Sequence, residues 1–119
     1  MLGLLVLTAA LMTSCGKDGG NLPKNTQQSA TDLENVFSGA EADMQKNAQI
    51  AAEALRTEQY EKAAAAILSF NQFENVTYEQ AMAVKNSAAN LQEALAYRIQ
   101  DDPNARRAWE MLKNSSRDR

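Results

Sequence analysis

Asp101 and Asp102 form the tightest pair of carboxylates in this chain of 119 residues, so acid–base chemistry would have to begin with them. Neighbouring residues at a helix start point in different directions, and an Asp just before Pro103 is accounted for as the cap of the helix that follows. Glu58 and Glu61 lie three apart on one helical face, with Lys62 four residues after Glu58 to offset them, the pattern of a solvated surface. The chain has no histidine, which excludes imidazole metal sites, imidazole general bases and Ser-His-Asp or Cys-His pairs. The last glycine is Gly39 and no Gly-rich phosphate loop occurs. Cys15 is the one thiol, so no internal disulfide can form and no cluster of Cys ligands exists. The residue inventory therefore predicts a protein that is not an enzyme and holds no metal or cofactor.

Binding chemistry has more candidates. Arg106, Arg107, Lys113, Arg117 and Arg119 gather near the C-terminus around Trp109, interrupted by Glu110 and Asp118. Cations near a helix C-terminus are favoured by the helix dipole alone. Net charge is −3 with the signs mixed, which argues against nucleic-acid binding and leaves anionic lipid headgroups or an acidic partner as targets for Arg106 and Arg107. Phe37, Tyr60 and Trp109 fall on apolar helical faces and read as core. Phe70 and Phe73 flank an irregular stretch, where they either pack over the end of a bundle or stand exposed as a partner-binding site.

The N-terminus supplies an address. Residues 2 to 12 contain only Leu, Gly, Val, Thr, Ala and Met, and no charge precedes Lys17. That run has the length of a secretory signal and is too short for an ordinary membrane span. Leu11, Met12, Thr13, Ser14 and Cys15 resemble the lipobox of bacterial lipoproteins, in which the cysteine is lipidated and becomes the first residue of the mature chain. This chain has Met12 where the family usually has Leu, and lacks the Lys or Arg that usually precedes the apolar run. A start placed too far downstream would account for the missing cation. The resemblance implies a signal peptide over 1–14, an acylated Cys15 and a membrane-anchored location in the cell envelope. With no Asp after Cys15, it favours the periplasmic face of the outer membrane in a cell with two membranes. Each buried CH₂ of such an anchor contributes about 0.8 kcal/mol.

The remaining chain reads as all-α: a small antiparallel helical bundle, or helical hairpins, behind a disordered tether. Residues 15–29 are Gly-, Asn-, Gln- and Ser-rich with Leu22 as the lone large apolar group, as a flexible tether requires. A helical domain is expected over 30–115, with a disordered tail at 116–119. Its first helix spans about 31–56, with Leu33, Phe37, Ala40, Met44, Ala48, Ala51 and Leu55 forming one stripe. A second covers 58–70 around Tyr60, Ala63, Ala64, Ile67 and Leu68, and a single helix from 31 to 70 is the alternative. Thr77 and Gln80 form a capping box that starts a third helix over 78–100, striped by Ala81, Val84, Ala88, Leu91, Leu95 and Ile99. Asp102 and Pro103 open a last helix over 103–114, carrying Ala105, Ala108, Trp109 and Leu112.

Tyr60, Ala63, Ala64 and Leu68 resemble one helix of a tetratricopeptide repeat, which would imply a binding module, although no 34-residue period is visible. An extended coiled-coil oligomer is a further arrangement compatible with the stripes. Because so many stripe positions are Ala, apolar burial per turn is modest, and a marginally stable monomer is expected. Association with a second copy or an envelope partner would then run through the first helix or an exposed edge of the third, where Leu91→Glu would act.

Overall fold

A computed structural model describes the backbone of residues 24–117 and the side chains of 26–115. Those residues form five helices and no strand: α1 (Lys24–Val36), α2 (Ala42–Arg56), α3 (Tyr60–Ser69), α4 (Tyr78–Ala96) and α5 (Pro103–Arg117), with a 3₁₀ turn at Phe70–Gln72. The signal peptide expected over 1–14, Cys15, and the last two residues of the tail lie outside the described residues.

The helices pass from neighbour to neighbour in the order α1, α2, α3, α5, α4 and back to α1, a ring that differs from chain order only because α4 and α5 exchange places. Side-chain bonds fix the directions. Asn47 near the start of α2 donates to the Ala66 carbonyl near the end of α3, which sets that pair antiparallel, and Arg56 at the end of α2 ties it to Glu34 near the end of α1. Asn90 donates to Ser29 and Gln80 to the Val36 carbonyl, which sets α4 antiparallel to α1. Arg107 pairs with Glu61, and α5 runs alongside α3 in the same direction.

The core explains both the helices and their close spacing. Of its 21 buried apolar residues, 11 are Ala, and these small side chains let backbones approach around the larger Leu33, Phe37, Leu55, Ile67, Leu91 and Leu95. Thr26, Ser29, Gln80 and Ser87 are the buried polar residues, and every buried side-chain nitrogen and oxygen among the described residues is hydrogen-bonded.

Four expected boundaries are corrected. The helix expected over 31–56 is broken at Phe37–Glu41, because the chain folds back to bury Leu33 and Phe37 against α2 instead of leaving one stripe in search of a partner. Gln80 satisfies the Val36 carbonyl at 3.1 Å and Gln45 the Ser38 carbonyl at 2.9 Å, so two of the carbonyls at this break are capped by side chains, while those of Leu33, Asn35 and Phe37 accept backbone N–H groups. Part of the expected tether is helix: residues 24–30 belong to α1, and Thr26, Ser29 and Ala30 are buried. The third predicted helix stops at Ala96 rather than 100, where tight turns such as Arg98 N–H to Leu95 C=O at 2.8 Å reverse the chain. The last helix runs to Arg117, through the first two residues of the expected tail.

The uninterrupted 31–70 alternative also fails. At the end of α2 the Gln59 N–H bonds the Ala54 carbonyl at 2.9 Å, and the Glu58 N–H reaches that of Leu55. This pair of bonds is a Schellman stop, normally built on glycine, and here Glu58 takes the left-handed conformation at φ 58°. Leu91 is wholly buried, so Leu91→Glu would place a charge in the core and report on folding instead of association.

Candidate functional site

Both start signals form as the residues require. The Gln80 N–H bonds the Thr77 hydroxyl at 3.1 Å and the Thr77 N–H bonds Gln80 Oε1 at 3.0 Å. Asp102 Oδ1 accepts from the Asn104 N–H at 2.9 Å and the Ala105 N–H at 3.4 Å, which makes it a helix cap. Glu61 is engaged by Arg107 at 2.9 Å. Neither acid pair considered from the sequence is assembled as a buried dyad.

The end of the molecule that carries the α2–α3 and α4–α5 turns is closed by polar groups. Arg98 Nη1 donates to the Tyr60 hydroxyl at 3.1 Å, and that hydroxyl donates to Glu58 Oε1 at 3.3 Å. Arg98 lies 4.0 Å from Glu58, so three side chains join two turns. Burial pushes the Tyr60 phenol above its ordinary value, and the nearby Arg98 charge only partly opposes this. Higher up, Arg56 grips both oxygens of Glu34 at 2.8 Å, and this hydrogen-bonded pairing holds the Glu34 carboxyl below its usual range.

The opposite end is built from aromatic and apolar groups. Phe37 stacks on Phe70 with ring centroids 4.6 Å apart, and Phe70 meets Phe73 at 6.1 Å. Phe37 and Phe70 are buried, whereas Phe73 is half-buried and forms part of a groove. That groove, about 630 Å³, opens between the end of α3, the first four turns of α4 and the last turns of α5. Its surface includes Leu68, Val76, Val84, Ala88 and Leu112, and at its rim Tyr78 is 79% exposed and Met82 36%. Among the described residues, Lys85 is the one formally charged side chain that lines it, and it makes no ion pair with another of them.

The groove divides the residues singled out in the sequence. Phe70 and Phe73 both reach it, Phe70 as a buried support and Phe73 as part of its wall. Arg106 and Arg107 do not. Arg106 is exposed, while Arg107 is held by Glu61 and also contacts Asn104. Trp109 is half-buried, with the Lys113 ammonium 4.6 Å from its ring centroid. Sequence reasoning did not find Tyr78, Met82 or Lys85. The available signal was Met82 and Ala89, seven residues apart and one position beyond Ala81 and Ala88, which widen the apolar stripe past what a helix with one packed face requires.

Among the described residues no three Cys, Asp or Glu side chains come close enough to hold a metal ion, and no helix is long and apolar enough to cross a membrane. No protein-family model matches the chain, and no significant match is found among curated proteins or solved structures.

Proposed function

We propose that this protein is a non-catalytic binding module of the cell envelope, anchored through lipid on Cys15, that holds an apolar ligand in the groove between α3, α4 and α5. The groove carries this reading. A chain of this size has little apolar surface to spare, and an apolar trough with Tyr78 and Met82 at its lip is the kind of surface that marks a binding site. The volume falls within the range of small-molecule and peptide sites, and the polar side chains lining it among the described residues, Asn71, Lys85, Gln92 and Ser115 beside the Tyr78 hydroxyl, are few enough to orient a ligand. The anchor rests on the apolar run Leu2–Met12 and the small residues leading to Cys15. It would hold the domain at a membrane surface, where its ligand need only diffuse in two dimensions.

Two measurements test the two parts. An environment-sensitive apolar dye should bind the full chain and lose most of its signal in Ala89→Trp, a change at an exposed position that fills the groove. Equal dye binding by both proteins would remove the groove from consideration. Labelled palmitate should enter the native chain and not Cys15→Ser, and equal incorporation would refute the anchor.

A further inference from the structure

The shape and charge of the groove define its ligand more narrowly. Tyr78, Ala81, Met82, Lys85, Ala89 and Gln92 follow one another along α4 at helical spacing, so the trough runs straight beside that helix for about 21 Å at 1.5 Å per residue. Ala81, Ala88 and Ala89 provide little bulk along it, which permits a second helix axis to come within about 8–10 Å of α4. Met82, flexible and polarisable, can adjust to the side chains placed against it. Lys85 stands midway, seven residues from Tyr78 and seven from Gln92.

That central position separates ligand classes. A free fatty acid carries its carboxylate at one end, and its cation would belong at a mouth of the trough. A carboxylate in the middle of an elongated apolar ligand is what a helix offers, with Asp or Glu projecting beside an apolar stripe. We therefore infer that the groove seats an amphipathic helix of a partner polypeptide, about four turns long, with apolar anchors at i, i+3/i+4 and i+7 and an acidic residue facing Lys85. The inference rests on the groove being a binding site, and adds what binds there. The apolar run Leu2–Met12 of this chain contains no acid to set against Lys85.

The test is a displayed library of peptides about 15 residues long, apolar at helical spacing and random elsewhere, selected on the full chain. Enriched peptides should carry Asp or Glu near mid-length, become helical on binding and lose binding to Ala89→Trp. Lys85→Glu, a change at an exposed site, should weaken these peptides about tenfold and favour counterparts with Lys in place of the acid, because the contact changes from attraction to repulsion. Reversal of preference by the paired charge swap would establish the contact. Enrichment with no preference for acid, or indifference to Lys85→Glu, would overturn the proposal. If labelled palmitate binds in a manner sensitive to Ala89→Trp while no patterned peptide is enriched, the occupant is wrong and the groove stands as a lipid site. If neither probe binds, both readings fall. A concentration-dependent mass in sedimentation, abolished by Ala89→Trp, would assign the groove to a second copy of this chain and overturn the proposal equally.

Discussion

The two ends of the bundle solve the same problem in opposite ways. Each must close turns over a core of small residues. At one end Glu58, Tyr60 and Arg98 bridge the α2–α3 and α4–α5 turns with hydrogen bonds. At the other, Phe37, Phe70 and Phe73 carry the apolar interior outward until it opens as the groove. The polar end is directional and saturated, since each group has its partner. The aromatic end is non-directional and can accept more surface. Element length produces the asymmetry: α4 has 19 residues and α3 has 10, so α3 ends before it can cover the flank of α4. A binding surface arises here from a shortfall of covering helix, with no specialised chemistry required.

The strongest way to break this comparison is to remove one side chain from each half of α4. Leu95 is wholly buried, and Leu95→Ala should cost about 2–5 kcal/mol through lost burial and the cavity left behind. Met82 lies at the groove rim outside the buried core, and Met82→Ala should change stability by less than about 0.5 kcal/mol because it leaves no closed cavity. Urea unfolding of both variants measures the difference. Equal costs would mean that the groove is closed in solution.

The sequence shows why these halves look alike before folding. The α4 stripe expected from Ala81 to Ile99 has one helical period throughout, yet Leu91 and Leu95 are core, Ala81 is exposed, and Val84 and Ala88 are half-buried. Periodicity reports which residues share a face, whereas coverage depends on where α3 ends. Local signals fared better. The Thr77–Gln80 box and the Asp102–Pro103 start are legible because the groups that satisfy each other lie within three residues. The break after Val36 is not, since one carbonyl there is capped by Gln80, 44 positions away. The stop at Arg56, where the sequence reading ends its first helix, carries no glycine mark, because Glu58 occupies the position where glycine is the usual signal.

A smaller effect should sharpen the account of the polar end. Tyr60 is protonated in the fold and its phenol is held above the ordinary value of 10.0, chiefly by burial. A folded-state value above the unfolded one gives a contribution that is complete below the unfolded pKa and is lost as pH rises through the folded one. The native protein should therefore lose stability as pH increases beyond about 10, and Tyr60→Phe should remove that component. At neutral pH the same variant should cost about 1 kcal/mol for its lost hydrogen bonds. Thermal unfolding of both proteins between neutral and alkaline pH tests this, and parallel pH profiles would show that Tyr60 does not couple the two turns.

The smallest effect isolates the backbone beneath that clasp. Glu58 sits at φ 58°, where a side chain with a Cβ costs about 1 kcal/mol relative to its normal conformations. In the native chain, Glu58→Gly would relieve that strain but also remove the carboxylate that accepts from Tyr60 and faces Arg98. The two changes oppose each other, so the single variant says little about either. In a Tyr60→Phe background the phenol bond is already absent, and Glu58→Gly should appear as a net gain of about 0.5 kcal/mol, the remainder being offset by the greater freedom of glycine in the unfolded chain. Comparing the substitution in both backgrounds by urea unfolding gives the coupling between residues 58 and 60 directly. A gain only when Tyr60 is absent would show that the clasp holds Glu58 in its left-handed turn. An equal effect in both backgrounds would show that the Schellman bonds alone close this end, leaving the polar side chains as its cover.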